Sequence, residues 1–441
     1  MIKNNKWEII FLVIGIIIYL LSPGPQKLLS NPTSWELREQ IIFLSGTIAA
    51  SLMVLAVLTS IRLTWLNKQM GGLDKAYKIH KSAAIYCLVL SILHWLMEKV
   101  PSWLVKAGAI AHPGKLGDSS AFTSAELFLW RSGVTIAEYL IYVLIIFVVV
   151  ALSKKVPFKY FRWSHKVFPS MCILFFYHSA TVQLKDHWLT TPAGYLMLVL
   201  MTIGALASVI GLLQMIGFNR KAQSRIVSIE KHGDVLEVTL KTDKKFNYHP
   251  GQYAFLSFDH DKEPHPFTIA SSGLDPHSHT FAIKQFGDFT RELPSKAQLQ
   301  QKVVLEGPYG EFMFDDDQGE QLWVATGIGI TPFMAKMAQM KQSQSPIKPT
   351  RLIYCGRGPL ENQFPGNLRQ LCQKSGVRLQ YIDTQQDAKI TANSFTDLAG
   401  KLDDASVWFC GNTQLLAVIR SALDTIGFNP RNLHFDSFDM R

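Results

Sequence analysis

Cysteine is scarce in this sequence and never paired. Among 441 residues there are five, Cys87, Cys172, Cys355, Cys372 and Cys410, with no CxxC pair among them. A disulfide framework is thereby excluded, and the last three suit a reducing compartment. No EF-hand loop or other obvious regulatory module is present. Acidic residues are outnumbered, 34 against 44 Lys and Arg, for a net charge of +10. No nucleic-acid motif accompanies that excess, so it is assigned to membrane topology. The first apolar run, after Lys3 and Lys6, lacks a small-residue cleavage pattern. Ser22-Pro23-Gly24-Pro25 reads as a turn, and the run is expected to be a retained helix.

Apolar length is what the sequence has. The 48% hydrophobic content is unevenly spread. Six segments, at 7–21, 41–61, 79–98, 131–152, 166–182 and 191–217, approach the ~20 residues that span a bilayer. Residues 220–441 read instead as a mixed α/β protein. Counting Lys and Arg by alternate sides of the six segments gives fifteen on one side and seven on the other. The richer side is expected to be cytoplasmic, with both chain ends and the whole second half on it.

Four histidines stand in two of these segments. His80 and His94 are 14 residues apart, and His165 and His178 are 13 apart. Each pair spans roughly 20 Å along a helix. A single histidine in an apolar helix is ordinarily a hydrogen-bonded core residue. Two such pairs at near-equal spacing inside membrane segments point to function, and imidazole is a usual axial ligand of haem iron. Fourteen residues return to within roughly 40° of one helix face, whereas thirteen miss by about 140°. Pro169 lies inside the second pair, and a kink or local unwinding there is expected to reconcile the spacing. Arg131 and Glu138, seven apart, share a helix face and are expected to pair there, with an outer haem propionate as the alternative partner of Arg131. His112, in Ala-His-Pro-Gly, is expected to be a solvated turn residue.

From residue 225 the period falls to two. Residues 225–230 and 235–240 read as strands joined by a hairpin at His232-Gly233-Asp234, and further short strands suggest a small antiparallel barrel. Within it lie Pro250-Gly251-Gln252-Tyr253, His265-Pro266-Phe267-Thr268, Gly287-Asp288-Phe289-Thr290 and Gly307-Pro308-Tyr309-Gly310. Lys284, the Gly287 turn and the Thr290 hydroxyl at a helix start suit a pyrophosphate. Next, a strand ending at Ala325 enters Thr326-Gly327-Ile328-Gly329-Ile330-Thr331-Pro332, where glycines admit a close ligand and a helix start favours phosphate. Two later strands end in Cys355-Gly356-Arg357 and Cys410-Gly411-Asn412.

Ile79-His80-Lys81 through Leu93-His94-Trp95, and Ser164-His165-Lys166 through Tyr177-His178-Ser179, resemble two helices of the NADPH oxidase and ferric reductase family. The four barrel motifs are similar to the FAD barrel of the ferredoxin-reductase superfamily. The resemblance implies a multidomain membrane protein of the prokaryotic NADPH-oxidase-like kind. Its parts are a six-helix transmembrane haem-binding bundle (1–217), a linker (218–223), an antiparallel β-barrel FAD domain (224–316) and an α/β Rossmann-like NADP domain (317–441).

It implies haem iron ligands His80 and His165 for an inner b-type haem, and His94 and His178 for an outer one. It implies FAD contacts from His265, Pro266, Phe267, Thr268, Lys284, Gly287, Asp288, Phe289 and Thr290. NADPH, or NADH, would be held by Gly327, Gly329, Thr331, Pro332, Arg357, Cys410 and Gly411, with Cys410 beside the reacting nicotinamide. Phe438, with Phe435 as alternative, is implied to stack on the flavin. The expected activity passes electrons from cytosolic NADPH through FAD and two haems to an outer acceptor. Dioxygen, giving superoxide, comes first; a ferric chelate or a periplasmic partner protein is the alternative. The lipid bilayer, a bacterial inner membrane, is the expected setting, with no nucleic acid or regulatory subunit.

Overall fold

The computed structural model describes residues 5–30, 32–111, 122–153, 155–156, 158–186, 188–259, 261–342, 348–386 and 390–436. His112 and Phe438 lie outside them. The chain divides into two units, the first built from residues 1–71 and 75–216, the second chiefly from 217–441.

The first unit is helical: α1 (Lys6–Leu20), α2 (Gly24–Ser30), α3 (Ser34–Ser60), α4 (Thr64–Met70), α5 (Leu73–Lys106), α6 (Ser124–Leu152), α7 (Phe158–Thr181) and α8 (Pro192–Leu212). Five are long and apolar enough to cross a membrane, and α1 with α2, bent by 54°, meets the same test as a pair. Threonines cap the starts of α3, α6 and α8. The Thr33 side chain accepts from Glu36 N, and Thr123 forms a capping box with Glu126. Glu126 therefore belongs to a helix cap and not to an outer loop.

Close packing depends on small residues, as it must where lipid offers no hydrophobic drive between helices. A Cβ on Gly15 would lie 2.6 Å from the Ile48 backbone of α3, and one on Gly204 would lie 2.5 Å from the Phe176 ring of α7.

The second unit opens with β1 (Lys221–His232), so residues 221–223 are paired strand and not linker. There follow β2 (Val235–Thr242), β3 (Tyr253–Phe258), β4 (Asp261–Thr268), β5 (Ser278–Lys284), α9 (Asp288–Lys296) and β6 (Lys302–Tyr309). The β1–β2 hairpin turns at Gly233-Asp234, with His232 opposite Val235. Strand order is β4-β3-β6-β1-β2-β5, all antiparallel. A bridge between Ile269, just after β4, and Phe281 of β5 brings the two edges of the sheet together. Alternate strand residues, among them Ile226, Val238, Leu256, Phe281 and Leu305, fill its interior.

The remainder alternates strand and helix: β7 (Glu320–Thr326), α10 (Thr331–Gln342), β8 (Thr350–Gly356), α11 (Leu368–Lys374), β9 (Arg378–Asp383), α12 (Ala392–Ala399), β10 (Ala405–Cys410), α13 (Thr413–Thr425) and β11 (Leu433–Phe435). The sheet is parallel, in order β11-β10-β7-β8-β9. Leu322 and Val324 face one core and Trp323 and Ala325 the other, so both faces are buried, as parallel strands require.

Candidate functional site

The four membrane histidines share one local device: each Nδ1 lies against a backbone carbonyl. His94 meets Ile42 O at 2.9 Å and His80 meets Ala56 O at 2.7 Å, both on α3. The two acceptors are 14 residues apart, as are the two histidines, so two antiparallel helices meet in register. His178 reaches Gly133 O of α6 at 3.1 Å, and His165 reaches Phe161 O on its own helix at 3.1 Å. A carbonyl can only accept, so Nδ1 carries the proton and Nε2 keeps its lone pair. That arrangement is the one in which a second contact orients a metal-binding imidazole.

The His94 and His178 rings lie 6.3 Å apart between centroids, inclined at 87°. Two imidazoles on opposite sides of one metal, with bonds of about 2 Å, place their centroids about 6 Å apart. Gly46 closes on the His94 ring, where a Cβ would come 3.2 Å from Nδ1 and Cε1. His94 and His178 are of the type and spacing that would hold a haem iron. His165 lies within electrostatic reach of His80 and packs between Phe161 and Phe168, at 4.1 and 5.1 Å.

Two expectations change here. Helix α7 stays helical through Pro169, so the thirteen-residue spacing is not absorbed by local unwinding, which leaves a kink as the expectation. The two histidines leave it in different directions, His178 toward α6 and His165 back along its own turn. Glu138 pairs with Lys99 of α5 and not with Arg131, because the neighbouring helix brings a cation closer than one on its own helix two turns away.

A cavity of ≈ 260 Å³ adjoins the His94–His178 pair. Its walls are mostly apolar, including Ile42, Met53, Ile141, Phe175 and Met197, with polar residues Lys99, Glu138 and Gln183 also lining it.

In the barrel, β4 holds His265, Pro266, Phe267 and Thr268 in a row. His265 stacks on Phe289 of α9 at 3.6 Å and 8°, and its Nε2 bonds Asp261 Oδ2 at 3.0 Å. Asp261, Glu263 and His265 gather ligand-type atoms within 4.8 Å of one another, a cluster the sequence reading missed although its period-two spacing was visible. Phe267 packs on the barrel core. Gly287 precedes α9, and the Thr290 hydroxyl accepts from Gly287 N and Phe286 N, each at 2.9 Å. That hydroxyl shapes the turn. The α9 start at Gly287 and Asp288 is exposed, and Lys284 nearby meets Asp234 at 3.3 Å.

In open parallel sheets, ligands bind beyond the strand C-termini where the strand order reverses. Here that point is between β7 and β10. Gly327 has φ +52° and starts a tight turn, residues 327–330, that leads into α10. A Cβ on Gly329 would sit 2.3 Å from Cys410 O, and one on Gly411 would sit 2.3 Å from Thr326 Oγ1, so the two strand ends interlock. Thr331 donates to Ile328 O at 2.7 Å, holding the turn against Pro332 and the helix behind it. Cys410 is 1% exposed, and burial raises its thiol well above the ordinary range. It is thus a neutral wall residue whose backbone, not its sulfur, meets the glycine turn.

Arg357 follows β8 with its side chain exposed, on a turn pinned from every side. Gly358 N donates to Asp383 Oδ1 at 2.7 Å, Thr384 donates to Gly356 O at 2.7 Å, and Gln363 donates to Arg357 O at 2.8 Å. Asp383, at the end of β9 beside it, was missed, because only the sheet order makes the two neighbours. Asn412 caps α13 by accepting from Leu415 N at 2.8 Å. Phe435 lies in β11 opposite Phe409, with Arg420 4.4 Å over its ring. It is occupied there, and Phe438 keeps the flavin-stacking role as an expectation. A Cβ on Gly310, at the end of β6, would come within 3.5 Å of Asp436, so the chain leaves β11 toward the barrel.

Residues 45–176 match the ferric reductase like transmembrane component, and residues 219–313 match an FAD-binding domain. Ferric reduction oxidase 8, mitochondrial, of Arabidopsis thaliana is 34% identical over 138 residues, covering 28% of this chain and 19% of that protein. The reductase component of propane 2-monooxygenase of Mycolicibacterium smegmatis is 23% identical over 236 residues, covering 49% of this chain and 67% of its own. Phthalate dioxygenase reductase aligns in structure with a TM-score of 0.43 and 17% identity, over 50% of this chain and 69% of that one. The chain thus spans at most about two thirds of the curated relatives' length.

Proposed function

We propose that this oxidoreductase, in which a ferric reductase-like transmembrane component precedes an FAD-binding reductase domain, carries electrons from cytosolic NADPH across a bacterial inner membrane to dioxygen. FAD and two b-type haems, when bound, supply the electron carriers. His80 with His165, and His94 with His178, would hold the haems at two depths, while α3 and α6 carbonyls keep each imidazole turned for ligation. The glycine turn at 327–329 and the α10 start hold the nicotinamide nucleotide. Lys284 and the α9 start hold the flavin's phosphates. With the bent α1–α2 pair counted as one span, six spans would put both chain ends and the reductase domain on the lysine-rich, cytoplasmic side.

The observation that carries this reading is the His94–His178 separation of 6.3 Å with both Nδ1 atoms on carbonyls. Pyridine haemochrome analysis of the purified chain should give two haems. NADPH-driven, superoxide-dismutase-sensitive cytochrome c reduction should accompany oxygen uptake. One haem or none would refute the scheme. Two haems with ferric-chelate reduction but no superoxide would move the acceptor to the chelate.

A further inference from the structure

The cavity beside His94 and His178 is charged, yet every charge on it is cancelled. Lys99 is the one Lys or Arg among its lining residues, and it is paired with Glu138. The other lining carboxylate, Glu98, is held by Arg38 at 2.6 Å, and Arg38 also donates to Met97 O at 2.7 Å. A third polar group points the same way. Gln183 is 4% exposed, its Nε2 donates to Ser179 O at 3.0 Å, and its Oε1 has no partner among the described residues. The Ser179 carbonyl fixes which amide atom turns away from it, because a carbonyl needs a donor. Gln183 thus lines the cavity as a neutral amide whose unpartnered oxygen is itself buried.

Lys99 follows His94 by five residues, and Gln183 follows His178 by five. In the proposed topology α5 and α7 run in the same direction. Both side chains then sit about 7 Å beyond the histidine pair, toward the outer face. An approaching acceptor meets them before it meets the pair.

We propose that this rim is a charge filter that admits small neutral acceptors and disfavours anionic ferric chelates, with Glu138 as the specificity-determining residue. The inference rests on the reading that electrons leave at the His94–His178 pair, and it names the acceptor class there. An anion gains nothing from Lys99 while Glu138 holds it. A neutral molecule is indifferent to both. Replacing Glu138 by Gln keeps the size and a hydrogen-bonding group but leaves Lys99 uncompensated, which draws anions in.

The test uses full-length, haem-loaded protein reduced by dithionite, so that it is independent of NADPH and flavin. Stopped-flow absorbance follows haem reoxidation by the anion iron(III)–EDTA and by the cation hexaammineruthenium(III). Glu138→Gln should raise the anion-to-cation ratio of second-order rates about 10-fold at low salt, with the gain collapsing at high ionic strength. Gln183→Glu, which adds a charge, should lower that ratio. A redox titration supplies a readout free of turnover: removing the carboxylate should raise the midpoint potential of the nearer haem. An unaltered ratio in both variants, or a gain that survives high salt, overturns the filter. Failure of NADPH to reduce the haems would count against the proposed electron path alone.

Discussion

Gly46 gives the sharpest test of the histidine geometry. A methyl group there would lie 3.2 Å from both Nδ1 and Cε1 of His94, tighter than ordinary van der Waals contact by a few tenths of an ångström. Helix α3 cannot retreat freely, because Ile48 backbone atoms two residues on pack against Gly15 of α1. The imidazole must therefore yield, and its 2.9 Å bond to Ile42 O is what it yields. A neutral hydrogen bond contributes about 0.5–1.5 kcal/mol, and loss of an orienting contact to a metal ligand typically weakens binding about 10- to 100-fold. Gly46→Ala should lower affinity for one of the two haems by about 10-fold. Gly46→Leu, with a branched side chain in the ring's place, should lose that haem. Haemochrome analysis across a haem titration, with the absorbance of the remaining haem as internal standard, measures both. Full occupancy in Gly46→Leu would show that His94 does not hold a haem in this orientation.

Arg357→Ala should raise the KM for NADPH about 10- to 150-fold and leave that for NADH nearly unchanged, because only NADPH carries the 2′-phosphate a fixed guanidinium would meet. An equal rise for both would move Arg357 to the shared pyrophosphate. Phe438→Ala should speed flavin reduction by NADH relative to NADPH, whereas Phe435→Ala, in the β11 core, should chiefly lower Tm; the opposite pattern in rapid-mixing and thermal-melt data would exchange their roles. His279 is fully buried against Phe246 and Tyr248, and burial lowers its pKa to about 4. The folded barrel stays unprotonated there while the unfolded chain takes up a proton below about 6.5, so stability should fall by up to about 3 kcal/mol as pH drops from about 6.5 to about 4. Comparing full-length protein with His279→Phe by thermal melting should show a flatter pH dependence in the variant, and parallel curves would refute this.

Side-chain chemistry on one segment is legible in sequence; what a neighbouring segment supplies is not. His80, His94, His165 and His178 stand out because imidazoles are rare in apolar runs. Their orienting partners are the carbonyls of Ile42, Ala56, Phe161 and Gly133, which carry no sequence signature at all. The same limit explains Glu138. Helical periodicity offers it Arg131, and only the packing of α5 on α6 offers it Lys99. Hydroxyls carry a local role that the sequence does not announce. Thr290 and Thr331 sit at helix starts where phosphate is expected, and each also bonds to its own turn. Gly329 shows both sides at once. The sequence marks it as a place of close approach, and it is one. What approaches, however, is the Cys410 carbonyl, 2.3 Å from where a Cβ would stand. The glycine turn is therefore required by the fold before any nucleotide arrives. Gly329→Ala should then disrupt the nucleotide domain itself rather than nucleotide binding alone.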